Sequence, residues 1–199
     1  MLKRQNYNFM VIGIVGKVGA GKSKAIKYIK EHYIDYDIVV FSCDDIAKAI
    51  MDTGKSEYRY KDIRPYDFFT NEKYQKEARE KLHPVVFKEI EKDIVALKNK
   101  DTKNEKKSIY IIESALPSEL MYEMCDKVIC IKSTYESSLK RLVEKREYSE
   151  NQSKLIFDSQ KFYEKYYDKA NYIIENNGSK SEFIDKINEV MDEICVICK

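Results

Sequence analysis

Two observations on this chain point to an α/β fold built on a five-stranded parallel sheet. Five apolar runs of strand length occur, over residues 9–15, 38–42, 109–113, 128–131 and 172–175. Most are too continuous to alternate, which is how strands buried on both faces read. Long helix-patterned segments lie between them, so right-handed crossovers would return each strand parallel to the one before.

Taken in order, the first run, FMVIGIV, leads through a glycine-rich turn to a helix over 22–32. The second ends at Ser42-Cys43-Asp44-Asp45 and is followed by a helix over 45–51. Residues 53–71 are rich in Tyr, Lys, Arg and Asp and stand apart from the alternation. Beside the carboxyl edge of a sheet, an excursion of this size is where α/β proteins place substrate-binding segments. A helix is expected over 72–98. Residues 99–107, a charged run without an apolar residue, read as a solvated loop. Helices over 134–146 and 150–167 follow the fourth run, the second behind the N-cap candidate Ser149. Asn177-Gly178-Ser179 makes a turn before a last helix over 181–194, with Ser179 or Ser181 as its N-cap. No internal repeat is present, and one domain over 1–199 is expected.

Composition narrows the function classes. With 36 Lys+Arg against 34 Asp+Glu in 199 residues the net charge is only +2, which argues against a general nucleic-acid binder. The 43% of hydrophobic residues suffices for one sizeable core. The apolar stretches 11–15 and 38–41 fall far short of the roughly 20 residues a membrane-spanning helix needs. Residues 1–8 are polar and basic, without the apolar stretch of a signal peptide. Five scattered cysteines, Cys43, Cys125, Cys130, Cys195 and Cys198, suit reduced thiols better than a disulfide framework. Cys195-x-x-Cys198 lacks a partner pair and reads as incidental. A cytoplasmic protein is expected.

The strongest signal is Gly16-Lys17-Val18-Gly19-Ala20-Gly21-Lys22-Ser23, which matches G-x-x-x-x-G-K-[ST] between a strand and a helix. The chain has 6 Gly, and four of them (Gly13, Gly16, Gly19, Gly21) fall within nine residues. Glycine is concentrated where backbone must bend tightly and approach a ligand. The N–H groups of such a loop and of the following helix make a concave anion site, favoured by the helix dipole. Lys22 would reach the β- and γ-phosphates of a nucleotide, and the Ser23 hydroxyl would ligate Mg²⁺. Lys17 and Lys24 add charge inside and just after the loop, at its periphery, where either could touch phosphate. The motif makes the fold a three-layer P-loop NTPase fold.

Asp44 and Asp45 would emerge at the carboxyl edge on the side of this loop. One carboxylate there can accept the proton of an attacking hydroxyl, while the other caps the next helix. Glu113 ends the third run in the same way and could accept from a water on Mg²⁺.

On these landmarks the chain resembles the dephospho-CoA kinase family over nearly its whole length. Ile12-Gly13-Ile14-Val15-Gly16-Lys17-Val18-Gly19-Ala20-Gly21-Lys22-Ser23 is similar to that family's I-G-L-T-G-G-I-G-S-G-K-S, with Lys17 in place of a Gly. Asp44 falls on the second Asp of its D-A-D-x-x-A-R, which the resemblance makes the base for the acceptor hydroxyl. Ser42 replaces the first Asp and Lys48 the Arg. His83-Pro84 followed by Val86 is similar to H-P-x-[VIL]. Glu113 to Glu119 falls on D-x-P-L-L-F-E, with Glu for Asp and the Pro displaced. Arg141-Leu142 with Lys145-Arg146, and Gln160 downstream, resemble the family's lid, about 141–167. There Arg141 would donate to phosphate oxygens in the closed state. Asn177 and Gly178 resemble the turn near the adenine of ATP. Only 38 residues separate Asp44 from His83, fewer than the family pattern, and its D-R-x-x-L is reduced to Ile63-Arg64.

The resemblance implies ATP and Mg²⁺ as cofactors and the ribose 3′-hydroxyl of dephospho-CoA as acceptor. It implies catalytic roles for Asp44, Lys22 and Arg141, nucleotide binding by residues 16–24 with Asn177 and Gly178, and metal binding by Ser23 and Glu113. Acceptor binding would fall to Asp44, His83 and Arg64, with a substrate-binding excursion over about 53–82. A monomer without nucleic-acid or membrane partners is expected. Two alternatives stay open: another P-loop nucleoside-phosphate or small-molecule kinase, and a non-catalytic ATP-binding regulator.

Overall fold

The computed structural model describes residues 9–58, 62–101, 106–146 and 149–197. Residues 1–8, part of the excursion (59–61), part of the charged run (102–105) and Cys198 lie outside the described residues, as do the side chains of Lys145 and Arg146. The five strands are β1 (Phe9–Val15), β2 (Tyr36–Ser42), β3 (Lys107–Ser114), β4 (Lys127–Lys132) and β5 (Tyr172–Glu175). They form one sheet in the order β2-β3-β1-β4-β5, with every pairing parallel.

Ten α-helices connect or flank them among the described residues: α1 (Lys22–His32), α2 (Cys43–Thr53), α3 (Pro65–Thr70), α4 (Glu72–Glu77), α5 (His83–Asp101), α6 (Glu119–Met124), α7 (Tyr135–Arg146), α8 (Glu150–Ser159), α9 (Glu164–Tyr167) and α10 (Lys180–Ile197).

Alternation along the strands sends side chains into two cores. Met10, Ile12, Ile14, Ile109, Ile111 and Ile129 pack on α1 and α10 through Ile26, Ile29, Phe183, Ile187 and Met191. Val11, Val15, Phe41, Tyr110, Ile112 and Cys130 pack on the other face against Ile50, Val86, Phe87, Ile90 and Met121. β1 to β4 send side chains into both cores, so their apolar runs are continuous, whereas β5, at the edge of the sheet, leaves Ile173 exposed. Cys195, read from sequence as incidental, is 8% exposed and belongs to the first core.

Two expected helices are interrupted, and two short ones were not expected. The helix expected over 72–98 is interrupted by a π-helical turn, Ala78–Leu82, directly before Pro84. Proline has no N–H to donate and its ring collides with the carbonyl four residues back; the wider turn, in which the His83 N–H bonds Ala78 O, relieves both. The segment 150–167 is likewise split by a 3₁₀ turn, Gln160–Tyr163. The helices α3 and α6 have six residues each, too few for an apolar period to show. Ser149 caps α8 with a full capping box, and Ser179 does so for α10, its hydroxyl accepting from Glu182 N while Ser179 N donates to Glu182.

β1 lies between β3 and β4, so the chain turns to one side of it after α1 and to the other after α6. The crevice of such a sheet opens at the carboxyl ends of the strands around this switch point. In register, Glu113 lies opposite both Ile14 and Ser42, which brings the ends of β1, β2 and β3 to one edge.

At Gly13, in the middle of β1, an added Cβ would meet Cys125 Sγ at 3.0 Å and Met121 Cε and Val128 Cγ2 at 3.1 Å. Gly13→Ala is therefore expected to lower stability by about 1–3 kcal/mol through overpacking, read as a lower urea midpoint at unchanged m-value.

Candidate active site

The turn after β1 wraps a concave backbone surface. Gly16, Gly19 and Gly21 all have positive φ. At Gly16 a Cβ would run into the carbonyl oxygen of Ile131, and at Gly21 into the side-chain amide of Asn176. Gly21 caps α1 without a side-chain hydrogen bond, and the first turn of α1 holds no acidic residue. The positive end of the helix and its first N–H groups are left for an anion.

Several of the loop carbonyls are met by side chains. Lys22 Nζ donates to Gly16 O at 3.0 Å. Arg141, on α7, donates through Nη1 to Gly19 O at 3.0 Å and through Nη2 to Asn176 O at 2.7 Å. Asn176, buried just after β5, donates through Nδ2 to Ala20 O at 2.7 Å. On the opposite side, Val18 N donates to Gln160 Oε1 at 2.9 Å. Burial lowers the pKa of Arg141, but a guanidinium stays charged throughout the working range.

Acidic groups converge on Lys22 from two strand ends. Its ammonium, itself buried, is 3.5 Å from Glu113 Oε1. Burial raises the Glu113 pKa, Lys22 opposes that rise, and Asp44 adds to it. Asp44 reaches the cavity because it is not the helix cap: Ser42 caps α2, its Oγ accepting from Asp45 N at 3.3 Å. Expectation had given a cap to one of the two Asp. Cys43, between these groups, is pushed up to about 12 by burial and then by Asp44, so it stays a protonated, inert thiol.

These side chains line one end of a cavity of about 470 Å³. Its lining combines the polar groups Lys22, Ser23, Asp44, Glu113 and Arg141 with the apolar side chains of Met51, Ile63, Phe68, Phe69 and Phe87 and the ring of Tyr58. His83 also lines the cavity, its ring edge-on to Phe87 at 6.5 Å. Its Nδ1 is buried and, among the described residues, has no hydrogen-bond partner.

Of the residues singled out in the sequence, Val18, Gly19, Gly21, Lys22, Ser23, Lys24, Asp44, His83, Glu113 and Arg141 line this one cavity. Others lie off its wall. Gly16 and Ala20 shape the loop from behind. Lys17 pairs with Glu164 at 2.7 Å. Arg64 is exposed and spent on Asp67, with Nε to Oδ2 at 2.7 Å and Nη2 to Oδ1 at 3.2 Å. Asn177 accepts from Thr134 N at 2.7 Å, and Gly178 sits beneath the Glu182 carboxylate of the α10 cap. Sequence reasoning missed Asn176 as a brace of the loop, although a polar residue directly after an apolar strand is a signal for it. It also missed Phe68 and Phe69, carried on the short α3.

A glycine-lined anion loop followed by Lys-Ser, carboxylates at two neighbouring strand ends and an adjoining acceptor-sized cavity define a P-loop phosphotransferase. Comparison with known proteins narrows the class. A family model described as dephospho-CoA kinase matches residues 61–182, more than half of the sequence, and the chain belongs to that family. It is 29% identical to a dephospho-CoA kinase of Fusobacterium nucleatum, over 94% of this chain and 100% of that protein. It is 28% identical to one of Aquifex aeolicus, over 92% and 96%. Among solved structures, a dephospho-CoA kinase from Campylobacter jejuni superposes with a TM-score of 0.58 at 24% identity, covering 94% of this chain and 97% of that one. A shikimate kinase from Acinetobacter baumannii in complex with shikimate gives 0.58 at 18% identity, covering 94% of each. Both show the same fold.

Burial, with a smaller contribution from Arg79, lowers the His83 pKa from 6.5 to about 4, so the imidazole is neutral in the fold. On acidification the unfolded chain takes up this proton first. The stability linked to neutral His83 is therefore complete above about pH 6.5 and is lost as pH falls toward about 4. The melting temperature is expected to fall more steeply across this window for the native protein than for His83→Gln. Equal slopes would mean that the ring titrates normally.

Proposed function

We propose that this chain transfers the γ-phosphoryl group of ATP to the ribose 3′-hydroxyl of dephospho-CoA, giving coenzyme A and ADP. The observation that carries this reading is the placement of Asp44 on the same cavity wall as Lys22 and Ser23 of the phosphate loop. The bond from the acceptor oxygen to the γ-phosphorus forms as the bond to the β-phosphate bridging oxygen breaks, and the hydroxyl proton passes to the Asp44 carboxylate. Catalysis is then chiefly positioning and electrostatic stabilisation, with no covalent enzyme intermediate.

The nucleotide phosphates take the N–H groups of the loop and of the first turn of α1. Lys22, held on Gly16 O and close to Glu113, moves its ammonium onto the β- and γ-oxygens. Arg141, whose guanidinium reaches both the loop and the cavity, supports the same charge from the other side. The donors beside the phosphates are the Ser23 hydroxyl and the Glu113 carboxylate, hard oxygens of the kind Mg²⁺ takes together with phosphate oxygens. Held by these two groups, Mg²⁺ would supply charge neutralisation to the transferred phosphoryl group. The apolar wall from Met51, Ile63, Phe68, Phe69 and Phe87 suits the base and the acyl-amide arm of a large acceptor, with His83 as a neutral hydrogen-bonding group on that wall. The segment 53–82 thus serves the acceptor. The reduced, scattered thiols support a cytoplasmic setting.

An ADP-release assay with Mg²⁺-ATP, dephospho-CoA and a panel of nucleoside monophosphates tests the reading. Turnover with dephospho-CoA is expected, and Asp44→Asn should lower kcat by about 100-fold or more with little change in the KM for ATP. Lys22→Met should lower kcat by about 100- to 1,000-fold. Turnover with a nucleoside monophosphate alone would overturn the assignment of the acceptor.

A further inference from the structure

We propose that Lys17 and Glu164 form a charged clamp which, with Gln160, holds the phosphate loop in its anion-binding shape, making all three positioning residues for ATP. The inference rests on the nucleotide-binding half of the function proposed above and does not depend on the identity of the acceptor.

Lys17 and Val18 are consecutive in the loop, and one short segment grips both. Gln160, fully buried, accepts the Val18 N–H at 2.9 Å. Glu164 takes the Lys17 ammonium at 2.7 Å, and the ring of Phe157 lies 4.1 Å beneath that ammonium. Phe157, Gln160 and Glu164 are spaced three and four residues apart, so they form one face of the helical run through α8, the 3₁₀ turn and α9. The Lys17 side chain is 15% exposed and absent from the cavity wall, whereas Lys22 and Lys24 are on it. Its charge is directed at the clamp and away from the phosphate site.

The clamp stands on a firm base. Tyr163 and Tyr167, in the same run, are 1% and 3% exposed, and the Tyr167 hydroxyl donates to Ala115 O at 2.8 Å. A loop with three glycines at positive φ has a large conformational entropy to lose on closing around an anion. Fixing Lys17 and Val18 beforehand removes part of that cost from the binding step, the usual effect of preorganisation on affinity. Arg141 and Asn176 act on the opposite side, at Gly19 O and Ala20 O, so the loop is held from both flanks.

The test is the dissociation constant for Mg²⁺-ATP, measured by titration calorimetry on the full chain, with melting temperatures recorded in parallel. Lys17→Gln and Glu164→Gln are each expected to weaken binding about 3- to 10-fold, as suits a partly screened, charge-assisted pair. The double variant should lose no more than about twofold beyond either single, because the two changes remove one interaction. Exchanging the charges, Lys17→Glu with Glu164→Lys, should bind ATP at least about fivefold tighter than Lys17→Glu alone.

Weakening by Lys17→Gln with unchanged or tighter binding in Glu164→Gln would make Lys17 a direct phosphate ligand and overturn the clamp. A fall in melting temperature with unaltered ATP affinity in both singles would reduce the pair to a structural contact and also overturn it. Failure of the native protein to bind ATP would instead sink the proposed function. Turnover with a different acceptor would leave the clamp standing.

Discussion

A loop that turns its N–H groups toward one anion must turn its carbonyls toward the protein, and those carbonyls need donors there. Buried without partners, each would cost about 1–3 kcal/mol. In this chain the donors come from far along the sequence: Arg141 and Asn176 serve Gly19 O and Ala20 O. Within the loop, Lys22 serves Gly16 O and Ala20 N serves Lys17 O. The proposed phosphate site lies within residues 16–24, yet the loop is held in shape by α7 and the end of β5. β5 can reach it because β4 lies directly beside β1 in the sheet. The order of the strands is thus part of the binding site.

The same edge of the sheet sets the electrostatics. Lys22 and Glu113 partly neutralise each other at 3.5 Å in a buried setting, where an uncompensated charge would be costly. On the proposed function, phosphate arriving at the loop would change that balance by giving Lys22 stronger partners and freeing the Glu113 carboxylate. Asp44 stands in the first turn of α2, whose dipole favours a carboxylate, and Ser42 spares it from capping duty. The same cavity carries an apolar lining, and the π turn before Pro84 contributes Leu82 to it, next to His83.

Much of this was legible in the sequence, for identifiable reasons. The strands showed because both faces of the sheet are covered, and the phosphate loop showed because glycine, lysine and serine at fixed spacing leave few other readings. The positions of Asp44 and Glu113 followed from the strand ends, while the register of those ends came from the structure. The two six-residue helices left no period to detect, and the π turn had only Pro84 as its sign. Nor does spacing say where a long side chain points: Lys17 turns to Glu164 and Arg64 to Asp67, although both sit in segments that read as ligand-binding. Ser42 was noted as a replacement, while its role as a cap appeared only from the geometry.

The most direct measurement is a crystal structure of the chain with ADP and dephospho-CoA bound. The β-phosphate is expected on the N–H groups of the loop and the start of α1, with Arg141 and Asn176 still on the loop carbonyls. The acceptor 3′-hydroxyl should lie within about 2.6–3.2 Å of the Asp44 carboxylate, the reach of a general base. An acceptor hydroxyl held away from Asp44, or a nucleotide that draws Arg141 and Asn176 off Gly19 O and Ala20 O, would contradict this arrangement.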